Sequence, residues 1–97
     1  MKVRVLASAR QDIFDIAQFF DRQEPGLGRR VYDVLEAAIN ELSWQAGIHT
    51  HYNKDYLVKY IERFPVAIYY YVANDEAHID AVLDTRRDPE LISDRLQ

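Results

Sequence analysis

The sequence predicts an α+β fold in which an N-terminal strand is followed by an antiparallel helix hairpin packed on one face of a mainly antiparallel β-sheet. Up to Trp44 the apolar residues recur at helical spacing, and after Gly47 the period changes to the two-residue alternation of strands. The connections between the predicted strands are short, which favours an antiparallel meander. The two apolar helix stripes need a partner, and one sheet face provides it. We expect the opposite face to meet solvent or another protein.

Length and composition restrict the class of protein. The 97 residues predict one domain over 1–97 with a single core. The longest apolar run, Val66 to Ala73, is too short to cross a bilayer, and the N-terminus does not resemble a signal peptide. No cysteine is present, which excludes disulfides and favours the cytoplasm. The net charge of −4 argues against non-specific binding of nucleic acid.

The first elements are a strand and a helix. Alternation in Lys2 to Leu6 predicts a short strand. Ser8 and Gln11 have the spacing of a capping box, which predicts a helix that begins near Ala9. The apolar stripe of this helix consists of Ile13, Ile16, Ala17 and Phe20.

The second helix is predicted from Leu27 or Gly28 to Trp44. Pro25 and Gly26 end the first helix and allow a tight reversal. The stripe of the second helix consists of Val31, Leu35, Ala38 and Leu42. Because the connection is short, the two helices are expected to form an antiparallel hairpin.

Strands fill the second half of the chain. Candidate strands cover 49–52, 56–63, 66–73 and 77–84, with turn residues at 53–55 and 74–76. Alternation places Ile79, Ala81 and Leu83 on one side of the last strand. Residues 88–95 form either a short helical turn or a tail.

The core and its margin follow from these stripes. The predicted core contains Ile13, Ile16, Phe20, Leu35, Leu42, Ile68 and Ile79. Phe14 and Phe19 flank the stripe of the first helix. Either both rings are core residues of a widely buried helix, or a partner covers them.

Two groups of residues could bind ligands. Lys59 and Arg63 share strand parity, and with Arg86, Arg87 and nearby tyrosines they would suit stacked bases and phosphates. Alternatively, these cations are ordinary charged residues on the solvent-exposed surface of the sheet and bind no ligand. His49 and His51 could share a strand face, but two ligands without a third are a weak metal signal, so we expect no metal and no cofactor.

The C-terminal third resembles the RelE/ParE superfamily of toxins, the toxic halves of bacterial type II toxin–antitoxin modules. The resemblance rests on residues 63–72, which read Arg-Phe-Pro-Val-Ala-Ile-Tyr-Tyr-Tyr-Val, and on 79–89, which end in Arg-Arg-Asp-Pro. The segment Arg86 to Pro89 is the sharpest motif. Asp12 and the triplet Gly28-Arg29-Arg30 also fit the family pattern, so the similarity covers nearly the whole chain.

The resemblance implies one of two activities. The RelE-like branch cleaves mRNA in the ribosomal A site, and its cations would correspond to Arg86 or Arg87, Arg63 and Lys59. No tyrosine or histidine follows Arg87 to serve as an acid or base. The ParE-like branch lacks nuclease residues and poisons DNA gyrase, and it is the branch we expect. The alternatives are a ribosome-dependent endonuclease and a non-toxic binding module with the same fold, so enzymatic activity stays open.

The resemblance also implies a cognate antitoxin as partner. We expect it, or the target, to contact Phe14, Phe19, Arg63, Arg86 and Arg87. The expected biology is growth inhibition in the cytoplasm, as in plasmid stabilisation modules, with no membrane partner.

Overall fold

Eight helices and strands follow one another in the computed structural model, which describes residues 1–97. Their bounds are β1 Lys2–Val5, α1 Ala7–Gln23, α2 Leu27–Gln45, β2 Thr50–His51, β3 Leu57–Tyr60, β4 Val66–Ala73, β5 Glu76–Asp84 and α3 Pro89–Arg95. The two long helices agree with the sequence prediction. Strand β3 is shorter than predicted and ends before Arg63. None of the helices has the length and apolar content needed to cross a membrane.

The five strands form one sheet in the order β1-β5-β4-β3-β2. The last four strands are the predicted antiparallel meander. Strand β1 joins the far edge and pairs in parallel with β5, with Lys2 opposite Glu76 and Val5 opposite Ile79. The helix hairpin connects β1 to the rest of the sheet and lies across one face, which confirms the predicted α+β fold.

The hairpin face holds the larger core. All seven predicted core residues belong to it, six of them buried and Ile16 partly buried at its margin. Tyr70 is also fully buried there, and its hydroxyl donates to the carbonyl oxygen of Ala46 at 2.6 Å. This bond joins the end of α2 to the centre of the sheet.

The opposite sheet face carries a second, smaller core, so the expectation that this face meets solvent or another protein is wrong for a large part of it. Helix α3 and the residue that caps its end place Ile92 and Leu96 in one cluster with Tyr69 and Leu83. Asp88 caps this helix by accepting from the amide of Glu90 at 2.9 Å. The Asp-Pro pair that ends the family-like motif therefore starts a helix.

A β-bulge at Asp80 divides β5 between the two cores. Tyr69 lies opposite Ala81, and Tyr70 lies opposite Ile79, so Asp80 has no partner on β4. Ile79 consequently belongs to the hairpin-face core, whereas Ala81 and Leu83 belong to the second core. The predicted common side for these three residues is wrong because strict alternation assumes an unbroken ladder.

Two tight turns position the long elements. The β4–β5 turn has Asn74 and Asp75 at φ of 54° and 60°, as in a hairpin turn with two left-handed residues. Between the helices, Asp21 accepts hydrogen bonds from the amides of Gly26 and Gly28 at 3.0 and 3.2 Å. Asp21 thus caps α2 from the preceding helix.

Candidate binding groove beside helix α1

Helix α1 lies along the part of β5 that lacks a strand neighbour on the β1 side. Strand β1 pairs with β5 only as far as Ile79, so residues 80–84 have no strand on that side. The hydroxyl of Ser8 donates to the carbonyl oxygen of Asp80 at 2.8 Å. The amide of Val82 donates to Oδ2 of Asp12 at 3.0 Å. Side chains of α1 therefore form hydrogen bonds with backbone groups of β5 where a further strand would otherwise pair.

The capping box predicted at Ser8 does not form. Helix α1 begins at Ala7, and no side chain bonds to its first amides. The Ser8 hydroxyl points to Asp80, and the side-chain Nε2 of Gln11 donates to Oδ1 of Asp15 at 2.9 Å. Ser8 lies in the first turn of the helix and Leu6 takes the N-cap position, so the Ser8 hydroxyl bonds to Asp80 instead.

Asp80 organises the bulge through its carboxylate as well as its carbonyl. Its Oδ2 accepts from the Tyr56 hydroxyl at 2.6 Å, and its Oδ1 accepts from Ser8 at 3.0 Å. The bond to the carboxylate raises the pKa of Tyr56 to about 12. The phenol therefore stays protonated and holds the β2–β3 turn against β5.

Asp12 also binds Arg95 of α3. The guanidinium donates to Oδ1 and Oδ2 at 3.0 and 2.7 Å. The Asp12 side chain is only 11% exposed, so its carboxylate is largely shielded from solvent, whereas Arg95 is 33% exposed. The bond to Asp12 raises the pKa of Arg95. Sequence reasoning did not identify this pair, because no local pattern relates residues so far apart.

An open groove of about 430 Å³ lies between α1 and the end of β5. We call it the arginine groove. Its apolar lining consists of Ile16, Phe19, Phe20, Val82 and Leu83. Carboxylates of Asp12 and Asp15 contribute to the wall formed by α1, and Arg86 and Arg87 contribute after the end of β5. The groove thus combines apolar surface with both signs of charge.

The two arginines of the groove differ in their partners. Arg86 donates to both carboxylate oxygens of Asp84, with the shorter distance 2.7 Å. This hydrogen bond raises the pKa of Arg86 and lowers that of Asp84. Arg87 is exposed and forms no ion pair. Arg87 is therefore the arginine of the groove that a ligand can engage without breaking an ion pair.

Phe14 and Phe19, which flank the apolar stripe of α1, lie on different sides of the helix. Phe14 is 57% exposed and Phe19 is 42% exposed, so neither is a core residue. Phe19 lines the arginine groove and meets Phe20 edge-to-face, with ring centroids 5.4 Å apart. Phe14 does not line this groove. The two rings lie about 140° apart around the helix axis.

The predicted cluster of Lys59 and Arg63 does not exist. Lys59 points toward the hairpin and donates to the carbonyl oxygen of Ala38 at 3.0 Å, and it also contacts Glu41 and Gln45. Arg63 lies exposed in the bend before β4. The shorter β3 breaks the parity that would have aligned the two cations. Neither cation lines the groove, although Phe64, which follows Arg63, packs against Phe20 with ring centroids 5.6 Å apart.

His49 and His51, which could have shared a strand face, have different surroundings. His49 lies 2.8 Å from the Tyr70 hydroxyl through its Nδ1, whereas His51 is exposed on the edge strand. Burial and the neighbouring Lys59 lower the pKa of His49. No group of three or more potential metal-ligating side chains occurs in the structure.

Comparison with known proteins supports the fold. A chain of the chromosomal ParDE TA system from P. aeruginosa is similar in structure, with a TM-score of 0.80. The similarity covers 89% of this chain and 97% of that one, at 14% sequence identity. No protein-family model matches the sequence, and no curated protein matches it closely enough to be significant. The chain therefore has the RelE/ParE-like α+β fold.

Proposed function

We propose that this chain is the toxin of a type II toxin–antitoxin pair and that its antitoxin binds the arginine groove. The observation that carries the proposal is the groove itself: an exposed Phe19 beside the unpaired Arg87, on a RelE/ParE-like fold. A solved structure that is similar to this chain belongs to a ParDE TA system.

The chemistry of the groove indicates the kind of segment it binds. Phe19 and Ile16 offer apolar surface that an apolar side chain of a partner would cover. Arg87 would meet a carboxylate of that partner, and Arg63 would extend the positive charge past Phe64. Small antitoxins often present segments that fold on binding, and such a segment can follow an open groove.

For the target, we propose ParE-like inhibition of DNA gyrase in the cytoplasm. The contacts of the residues that would serve a nuclease favour this branch. Lys59 is bound by three groups of α2, and Arg86 is bound by Asp84. Cleavage through the 2′-hydroxyl requires groups that move protons as well as cations at the phosphate. Arginine transfers protons poorly at neutral pH.

Induced expression provides the first test. The proposal predicts growth arrest that is relieved by co-expression of the short protein encoded beside this chain's gene. Purified protein should inhibit supercoiling by gyrase and should leave ribosome-bound mRNA intact. Codon-positioned mRNA cuts that disappear in Arg86→Ala would identify the ribosome-dependent nuclease instead. A protein that binds its neighbour without arresting growth would be a non-toxic binding module.

A further inference from the structure

Helix α3 is held against the second core by few side chains. It has seven residues, and Ile92 is the one buried residue among them. Leu96, which caps its end, is also buried, whereas the other residues of the helix are all exposed. A helix of this length does not persist alone in water, so α3 is formed only while it is docked.

The ion pair between Arg95 and Asp12 is the one salt bridge that joins α3 to the rest of the chain. Arg95 also donates to the carbonyl oxygen of Ser8 at 3.5 Å. Asp12 belongs to α1, and its side chain lines the arginine groove. The docking of α3 therefore depends on a carboxylate that is also part of the groove wall.

The surface beneath α3 belongs to strands that are held independently of it. The strand residues of the second core are Val58, Ala67, Tyr69, Ala81 and Leu83. Their strands β3, β4 and β5 are paired with one another in continuous antiparallel ladders, apart from the bulge. The larger core on the hairpin face contains no residue of α3. Removal of α3 from the sheet therefore breaks no strand pairing and leaves the larger core intact.

We propose that α3 is a strap that opens while the sheet and the helix hairpin stay folded, with the ion pair between Asp12 and Arg95 as its latch. Ordering the segment from Asp88 to Leu96 costs conformational entropy. Two apolar side chains, one cap and one partly exposed ion pair oppose that cost. Fourteen buried residues hold the larger core. Opening of α3 therefore requires less free energy than global unfolding.

Opening of the strap changes two surfaces together. It uncovers an apolar face that includes Tyr69 and Leu83, which are 2% and 3% exposed in the closed state. It also removes Arg95 from Asp12, which leaves an unpaired carboxylate in the wall of the arginine groove. A ligand that binds the uncovered face would favour the open state and so alter the charge of the groove. This inference concerns the conformations of the chain itself and does not depend on the proposed function.

Native-state amide hydrogen exchange on the intact chain distinguishes local opening from global unfolding. The reporters in α3 are the amides of Ile92 and Leu96, which donate to the carbonyl oxygens of Asp88 and Ile92 at 3.3 and 3.2 Å. The reporter of the larger core is the amide of Ile68 at the centre of β4. We expect the α3 amides to be at least tenfold less protected than Ile68.

Urea below the unfolding range sharpens this comparison. It should lower the protection of Ile68 steeply and that of the α3 amides only slightly, because local opening exposes little surface. If the α3 amides match Ile68 in protection and in urea dependence, α3 unfolds only with the whole protein and the inference is wrong.

Variants test the latch, after thermal melting confirms that each is folded. Arg95→Ala should lower the protection of the α3 amides at least threefold. The control Asp94→Ala, which removes an exposed carboxylate of the same helix that forms no ion pair, should change it by less than twofold. Asp12→Asn keeps an acceptor for the Val82 amide and should act like Arg95→Ala.

A double-mutant cycle then decides whether the two side chains act through one contact. Asp12→Asn/Arg95→Ala should exchange no faster than the more affected single variant, since both changes remove the same ion pair. Unchanged protection in Arg95→Ala, or a double variant whose loss is the product of the two single losses, would overturn the assignment of this ion pair as the latch.

Discussion

The guanidinium of Arg95 donates two hydrogen bonds to the carboxylate of Asp12, which lies 83 residues earlier in the chain. The same carboxylate accepts from the amide of Val82. One side chain of α1 therefore holds the last helix and the free edge of β5 together. The arginine groove lies directly beside this junction, so the geometry of the groove depends on it.

Removal of the Asp12 carboxylate should destabilise the protein. Asp12→Ala leaves a guanidinium and the Val82 amide without their acceptor, and we expect a loss of about 1–3 kcal/mol in the free energy of unfolding. Asp12→Asn should lose less, since its amide oxygen can still accept from Val82. Urea denaturation measures both. Asp15→Ala, which removes an exposed carboxylate of the same helix, is the matched control. Equal losses for Asp12→Ala and Asp15→Ala would show that the junction contributes nothing.

The larger core should be sensitive to truncation at its centre. Leu35 and Ile68 are almost fully buried, so replacement of either by alanine removes apolar contacts and leaves a cavity. We expect a loss of about 2–5 kcal/mol for each. Leu91→Ala, at a position that is 57% exposed, is the control and should change stability by less than about 0.5 kcal/mol. A loss below that value at both buried sites would contradict the proposed packing.

The contact between α1 and α2 should not tolerate a side chain at Gly28. A Cβ there would lie 2.4 Å from the carbonyl oxygen of Ala17 and 2.8 Å from Cβ of Asp21. Gly28→Ala should therefore separate the helices and cost about 1–3 kcal/mol, although alanine favours a helix. Gly47→Ala meets nothing within 4 Å and serves as the control. Thermal unfolding of the two variants decides the point, and equal midpoints would refute the close approach.

The arginine groove should respond to charge reversal at its free cation. Arg87→Glu places a negative charge where we expect a carboxylate of the antitoxin, and affinity should fall at least tenfold, more at low salt than at high salt. Arg86→Glu should also weaken binding, because it opposes Asp84 and disturbs the end of β5. Lys54→Glu, in the exposed turn before β3, is the control. Calorimetric titration with the adjacent-frame protein provides the measurement. Unchanged affinity in both arginine variants would exclude this end of the groove as the antitoxin site.

Stability should fall in mild acid because of His49. Burial and the charge of Lys59 lower its pKa in the folded protein, while Glu41 opposes this shift more weakly. The folded state therefore favours the neutral ring. Its contribution to stability is present above the ordinary pKa of about 6.5 and is lost as the pH falls through the lower folded pKa. Urea midpoints between pH 7.5 and 5 should show a smaller decline in His49→Gln than in wild type. If His51→Gln reduces the decline of the urea midpoint as much as His49→Gln does, the decline does not arise from His49.

The helices and the meander could be predicted because their signals are local and repeated. The stripe through Val31, Leu35 and Leu42 has the helical period, and the turn residues at 74–76 mark the β4–β5 hairpin. The short inter-helix connection was sufficient to predict the hairpin. In each case neighbouring residues along the chain contain the information.

The site was predicted less well because its contacts join distant segments. Phe19, Arg86 and Arg87 were identified and lie together in the groove. Val82 and Leu83 were not identified as lining residues, since strand periodicity does not reveal which edge lacks a neighbour. No sequence pattern near Arg95 indicates that it pairs with Asp12.

The extra residue at Asp80 changes how related sequences must be aligned. Before the bulge, odd-numbered positions of β5 face the hairpin, and after it the even-numbered Val82 does. A relative with a continuous ladder would need one residue fewer between Ile79 and Ala81 to bury the same two faces. An alignment without a gap at this point would therefore equate residues of opposite cores. When relatives are compared over this strand, the spacing of apolar residues should be matched separately before and after Asp80.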